Sequence, residues 1–298
     1  MIRLSLVGGS HVFHGKFFGA ILNGCGEGHA HGEWSVGANA QRIEGARIVK
    51  VWEPVRGQAE VYAKARQVDE VAGSLEECAE DVDGVLIPDD VSLSHQRWAP
   101  LFIERKLPLF IDKPLAPTHE QAAEVVALAV AAGCPIMSTS AIRFSKEVEE
   151  FLFRREETVG DIHSAFATAP NGRLVFYGIH AVELLATIMG TDVESVENHG
   201  SPLDHWVQLN YTDGRRAVVV VSQKMRQIGG VFYGTKGYEA FHTTDSGYYY
   251  RNQLLHFIEM VKTRKPPVPP EETLRIIDIC ATAEKALASG KAESLSGT

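Results

Sequence analysis

Along the first 141 residues, short apolar runs alternate with segments whose apolar positions recur every three or four residues. Ile2–Val7, Arg47–Trp52, Gly84–Ile87, Pro108–Ile111 and Pro135–Thr139 are runs of the first kind. Apolarity sustained over so few residues predicts strands covered on both faces, as in a parallel sheet. Gln58–Val68, Leu75–Glu80, Ser94–Arg105 and His119–Ala132 carry the helical period. Two of these helices open on capping boxes, Ser74 with Glu77 and Thr118 with Gln121, in which the hydroxyl and the third side chain reciprocally satisfy orphan amides. Such strand–helix alternation predicts a doubly wound parallel sheet with right-handed crossovers.

From about residue 142 the period changes. Asp161–Thr168 alternates polar and apolar, and Trp206–Thr212 and Arg215–Ser222 flank Asp213-Gly214, a strong two-residue hairpin signal. Ile228–Gly234 and Tyr238–His242 add strands, with a helix embedded at Ile179–Met189. Two helices, Asn252–Thr263 and Glu271–Ser289, close the chain. Pro266-Pro267-Val268-Pro269-Pro270 divides them, and Gly290 stands where a helix C-cap needs a glycine. The pattern therefore gives two domains, an α/β domain over 1–141 and an α+β domain with a mostly antiparallel open sheet over 142–298. A chain of 298 residues also exceeds what one core ordinarily fills.

Composition narrows the partners. A net charge of −9 and a pI near 5.7 oppose nucleic acid and anionic membrane surfaces. No apolar stretch reaches the roughly 18 residues of a membrane span, and the opening MIRLSLVGGS is too short in apolar residues for a signal peptide. Cys25, Cys78, Cys134 and Cys280 lie far apart with no C-x-x-C pair. They read as free thiols in a reducing compartment, so the expected location is cytoplasmic.

The chemistry begins where strand one runs into Val7-Gly8-Gly9-Ser10-His11-Val12-Phe13-His14-Gly15. A glycine turn opening a helix lets backbone amides approach a pyrophosphate at the positive helix end. The usual G-x-G-x-x-G fails at Ser10 and Phe13, so the loop stands between a phosphate loop and a plain turn. Gly8, Gly9, Ser10 and His11 are the candidate contacts, and Gly9→Val is expected to block dinucleotide binding with the fold largely intact. Strand two ends at Glu53, placed to accept from adenosine ribose hydroxyls, which favours NAD over NADP. Nearby Arg56 is the competing group for a 2′-phosphate, and a solvated strand-end carboxylate is the ordinary alternative for Glu53. Gly8 and Glu53 are separated by about twice the usual roughly 20 residues. The excess, Asn23–Gly45, reads as an insertion. His11, His14, His29 and His31 have spacings that can bind zinc, but their glycine-rich setting suits an ordinary loop, and no metal is assigned.

Further along, Gly84-Val85-Leu86-Ile87-Pro88, His95 and Pro108-Leu109-Phe110-Ile111-Asp112-Lys113-Pro114-Leu115-Ala116 resemble the Gfo/Idh/MocA oxidoreductases. Asp112-Lys113-Pro114 is a conservative variant of that family's Glu-Lys-Pro. Arg143-Phe144 resembles the Arg-Phe that opens its second domain, and Tyr177-Gly178-Ile179-His180-Ala181-Val182-Glu183-Leu184-Leu185 its Gly-x-His-x-x-Asp-Leu helix. Phe232-Tyr233-Gly234-Thr235-Lys236-Gly237 and Leu254–Met260 echo its C-terminal sheet and last helices. The resemblance spans nearly the whole chain. It implies a Rossmann domain that binds a nicotinamide dinucleotide, a second domain of mixed sheet, and a substrate pocket between them. It also implies oxidation or reduction of a secondary alcohol or carbonyl on a sugar, inositol or related polyol, in a homodimer or homotetramer. Carried over by position, Lys113 lies near nicotinamide and substrate, His180 transfers the proton, and Pro88, His95, Asp112 and Arg143 join the cofactor contacts.

Those residue types suit the reaction. Hydride loss from a carbinol carbon needs a base for the hydroxyl proton, and His180 near a helix start is favoured as the neutral ring that can accept it. Lys113 supplies a cation beside the developing alkoxide. Their ordinary alternatives are a histidine satisfied by backbone and a lysine paired with Asp112. One departure stands out: the family often has Asp four residues before the histidine, and here that position is Phe176. Glu183, on the same helical face as His180, is the candidate substitute and is taken as the third catalytic residue. Two other functions remain open at this point: a non-catalytic dinucleotide or sugar sensor, and an NAD-assisted glycoside hydrolase.

Overall fold

The computed structural model describes residues 1–26, 32–89 and 95–295. They form two compact units, Met1–Thr139 with Gly247–Pro270, and Ser140–Ser246 with Glu271 onward.

The first unit runs β1 (Ile2–Val7), α1 (Phe13–Asn23), β2 (Ala46–Trp52), α2 (Arg56–Arg66), β3 (Glu70–Val71), α3 (Leu75–Cys78), β4 (Gly84–Ile87), α4 (His95–Glu104), β5 (Leu109–Ile111), α5 (His119–Ala132) and β6 (Ile136–Met137). Its six strands are all parallel in the order β3-β2-β1-β4-β5-β6. Leu4, Leu6, Val85, Leu86, Phe110 and Ile111 are fully buried. That is why these strands read as continuous apolar runs: helices cover both faces. Only the hydroxyl half of each expected capping box forms. Ser74 accepts from Glu77 N and Thr118 from Gln121 N, both at 3.3 Å, while Glu77 reaches the amide of Gly73, one residue before the cap.

The stretch read as an insertion is tied down by a buried cation. Arg66, fully buried, donates to the Trp34 and Val36 carbonyls at 2.9 and 3.1 Å. His29 and His31 lie outside the described residues. Helix α8 (Ser246–Thr263) packs almost wholly on this first unit. Leu254 and Phe257 are fully buried, and Gln253 donates to the Thr139 carbonyl at 2.8 Å. The sequence boundary at 141/142 leaves this helix with the second domain. The chain returns instead because α8 carries the apolar stripe that covers Gly84 and Phe110.

The second unit comprises α6 (Lys146–Thr158), β7 (Ile162–Ala169), α7 (Ile179–Met189), β8 (Val193–Asn198), β9 (Asp204–Tyr211), β10 (Arg216–Ser222), β11 (Gly229–Gly234), β12 (Tyr238–His242), α9 (Pro270–Ser289) and β13 (Glu293–Ser294). Its seven strands lie in the order β12-β11-β7-β10-β9-β8-β13. All pairs are antiparallel except β7 with β10. In β7 and β9 the buried residues alternate, so one face packs on helices and the other is open. At the β9–β10 hairpin, Gly214 N donates to the Tyr211 carbonyl and Tyr211 N to the Arg215 carbonyl, both at 3.0 Å, with Gly214 at φ 88°. The turn thus takes three residues closed by a glycine in the left-handed region, where the sequence predicts two. No helix among the described residues is long and apolar enough to cross a membrane.

Candidate active site

In the first unit the strand order reverses between β1 and β4, a switch point outside whose carboxyl edge open α/β sheets bind their ligands. The sequence places the glycine loop, Glu53, Pro88 and Asp112-Lys113 at the ends of β1, β2, β4 and β5 on this edge. Gly8 and Gly9 have φ of 67° and 65°, a region glycine enters without cost. An added Cβ on Gly8 would lie 2.0 Å from the Trp98 ring, and one on Gly9 would lie 2.7 Å from the Pro88–Asp89 backbone. Gly15 takes the close-packing role that Phe13 cannot, since its Cβ would be 2.0 Å from the Gly9 carbonyl oxygen.

This geometry changes the expectation for Gly9→Val. The substitution would drive a branched side chain into the chain's own backbone at a φ that such residues avoid. We expect a loss of about 2–5 kcal/mol in stability, in addition to lost dinucleotide binding. Denaturant unfolding checks it; a midpoint equal to that of the parent would contradict the close approach to Pro88.

The loop has the features a pyrophosphate uses. The Ser10 hydroxyl is fully buried and has no hydrogen-bond partner among the described residues. Helix α1 starts without a side-chain cap. Glu53 is 5 % exposed and accepts from Ser10 N at 2.5 Å, and His11 Nδ1 lies 3.6 Å from the same oxygen. So Glu53 is a buried acceptor ordered by the loop and not a solvated strand end. Arg56, in contrast, is exposed and paired with Glu60 one helical turn on, at 3.0 Å. These observations fit a dinucleotide with unmodified ribose hydroxyls.

His95 is fully buried, and its Nδ1–H donates to the Leu115 carbonyl at 3.1 Å. Burial pushes this imidazole below the usual histidine range, so it braces the 112–116 segment as a neutral ring. Asp112 and Lys113 are 2 % and 4 % exposed. Burial opposes ionisation of Asp112, but His14 and the Lys113 ammonium hold its carboxyl below the usual range.

In the second unit, His180 stands on α7 with Nδ1 2.6 Å from the Ser140 hydroxyl. Ser140 also accepts from Ile142 N at 3.2 Å, so the turn that caps it fixes the ring. Ser140 was not singled out from the sequence; its cue is a serine directly before a turn of helix, as an N-cap. A π-type turn at Leu174–Gly178 runs directly into α7, and Tyr177 N and Gly178 N both donate to the Arg173 carbonyl. The first unsatisfied amides therefore lie upstream of His180. A dipole effect that fades within one turn is weak there, and Ser140 and burial define the ring instead.

Glu183 and Arg143 serve each other. Arg143 Nε donates to Glu183 Oε1 at 2.6 Å, and its Nη2 donates to Glu272. Glu183 is 2 % exposed. Burial holds the Glu183 carboxyl above the usual range against the pull of Arg143, while the guanidinium, though burial opposes its charge too, is held above the usual arginine range by Glu183 and Glu272. Both the carboxylate expected beside His180 and the arginine expected at the cofactor are thus committed to an ion triad. At Phe176 the ring carries the Arg173 guanidinium 4.5 Å above its centre.

Comparison with known proteins agrees with this architecture. Residues 21–140 match the model of the Gfo/Idh/MocA family, described as an oxidoreductase family with an NAD-binding Rossmann fold. The match begins beyond the glycine loop. No curated protein sequence matches the chain. Among solved structures, a putative myo-inositol dehydrogenase from Sinorhizobium meliloti 1021 is 17 % identical over 99 % of this chain and 100 % of its own, with a TM-score of 0.81. A myo-inositol dehydrogenase from Corynebacterium glutamicum is 15 % identical over the whole of both chains, with a TM-score of 0.82. One from Lactobacillus casei, solved with NAD(H) and myo-inositol, is 14 % identical over 100 % of this chain and 98 % of its own, at 0.79. The first unit thus carries a match to the NAD-binding Rossmann-fold model of the Gfo/Idh/MocA oxidoreductase family over residues 21–140, and the whole chain shares the fold of these dehydrogenase structures.

Proposed function

We propose that the chain is an NAD(H)-dependent dehydrogenase or reductase acting on a secondary alcohol or carbonyl of a sugar, inositol or related polyol. The observation that carries this reading is the convergence of the glycine loop, buried Glu53 and Asp112-Lys113 at the carboxyl edge of one parallel sheet. Gly8, Gly9, Ser10 and the start of α1 would hold the pyrophosphate, Glu53 the adenosine ribose, and Pro88, Asp112 and Lys113 the nicotinamide end. When bound, the nicotinamide supplies the hydride acceptor or donor. The Lys113 ammonium stabilises charge developing on the substrate oxygen. His180 is the proton-exchanging group, through Nε2, since Nδ1 faces Ser140. The Ser140 hydroxyl can accept from Nδ1–H or donate to bare Nδ1, so it suits the ring as base and as acid.

Names among the neighbours support the substrate class: myo-inositol in the Lactobacillus casei complex, and scyllo-inositol in another from the same organism. The exposed Trp206, Tyr233 and Tyr238 lie on one face of the second unit's sheet, which supports self-association as a homodimer or homotetramer. The deciding experiment is a panel of polyols and sugars with NAD and NADP, following absorbance of the reduced cofactor. Dinucleotide binding without turnover across the panel would replace the enzyme by a sensor. In the same titrations NAD(H) is expected to bind more tightly than NADP(H) by about 1–3 kcal/mol, because a 2′-phosphate would face the Glu53 carboxylate. Equal affinities would mean that Arg56 leaves Glu60 for the phosphate.

A further inference from the structure

A buried hydrogen-bond chain in the first unit brings His14 and Tyr250, which have no role above, to Asp112. His14, in the first turn of α1, has Nδ1 hydrogen-bonded to Asp112 and Nε2 2.8 Å from the Tyr250 hydroxyl on α8. His14 is 6 % exposed. The Tyr250 ring is held by Phe13, Phe17 and Phe18, with centroids 6.0, 4.8 and 6.0 Å away. An ionised carboxylate only accepts, so Nδ1–H donates to Asp112, and in the neutral ring Nε2 then accepts from the Tyr250 hydroxyl. Asp112 thus takes the His14 donor on one oxygen, and Lys113 follows it directly in the chain, both side chains buried just beyond the end of β5. Anchoring the Asp112 side chain therefore fixes the stretch of backbone from which the Lys113 side chain projects.

We propose that His14 and Tyr250 are positioning residues that act through Asp112 to hold the Lys113 ammonium for hydride transfer. The proposal rests on the role given to Lys113 above. Tyr250 keeps His14 in the tautomer that donates to Asp112, and the anchored Asp112 then fixes the backbone that carries the Lys113 ammonium. The helix that returns to the first unit after residue 246 thereby reaches the reacting end of the site.

Two measurements on the full chain test it. The first needs neither cofactor nor substrate. With 13C-labelled lysine, the Lys113 Cε signal, assigned by its loss in Lys113→Met, should move in Tyr250→Phe and in His14→Asn while other lysines stay in place. Tyr250→Phe keeps the ring and its aromatic packing and removes one hydroxyl. The second uses the substrate that the panel identifies. Tyr250→Phe should lower kcat by about tenfold, the size of one hydrogen bond lost from a charged network, with KM and NAD affinity within about twofold. His14→Leu should fall further than His14→Asn, whose amide can still donate to Asp112. An unmoved Lys113 signal, or a moved signal with unchanged kcat, would overturn the proposal. If the parent protein neither binds nor turns over NAD(H), the enzyme reading fails, and the hydride-transfer role fails with it. The lysine spectra then still report separately whether the Tyr250–His14–Asp112 chain reaches Lys113.

Discussion

Replacing His180 by alanine is expected to lower turnover by about 10²–10⁴-fold, the usual worth of a positioned proton-transfer group. The ring is 8 % exposed, with Nδ1 held by Ser140. Truncation removes both the exchangeable nitrogen and the orientation that Ser140 supplies. NAD(H) affinity should stay within about twofold, since a residue that acts on the chemical step alone leaves cofactor binding unchanged. Ser140→Ala is expected to produce a smaller fall with the same pattern, because it frees the ring's rotation while keeping the imidazole. Glu183→Gln should leave the imidazole ionisation of the pH–rate profile where it is. Were Glu183 to support the ring, that ionisation would move down. A His180→Ala enzyme with parental turnover would remove the histidine from the mechanism.

Replacing Arg143 by alanine is expected to cost about 3–5 kcal/mol of stability, the cost of stranding a buried charge. Glu183 is almost fully buried and accepts from Arg143 at 2.6 Å, and Glu272 meets the same guanidinium. Without the cation, Glu183 must take up a proton or admit water into the helix packing. Adding Glu183→Gln to the Arg143→Ala protein should restore a large part of the loss, because a neutral amide costs less to bury than a carboxylate. Denaturant unfolding of the parent, both single variants and the double variant reads the coupling directly. A loss below about 1 kcal/mol for Arg143→Ala would put the triad with ordinary exposed ion pairs.

The sequence by itself determined the first unit closely. β1, β4 and α5 occupy the spans their apolar patterns predict, because parallel strands buried on both faces and a capped amphipathic helix leave local signatures. α7 and β12 were equally legible, and the glycine loop, Glu53, Asp112-Lys113 and His180 were singled out by motif and position. Other features depended on residues distant along the chain. The two-residue strands β3 and β13 exist because a neighbouring strand offers them a ladder, and α8 joins the first unit because its stripe fits Gly84 and Phe110. The partners of the site residues were least legible. Helical spacing puts Glu183 on the face of His180, yet the carboxylate goes to Arg143, 40 residues earlier, because a buried charge takes the strongest available donor. Ser140 likewise reaches His180 across 40 residues, and Tyr250 reaches His14 across 236. Periodicity and spacing record what a residue's own element needs. Which side chain satisfies a buried polar atom is decided by tertiary packing, which brings distant donors and acceptors within 3 Å only after the chain has folded.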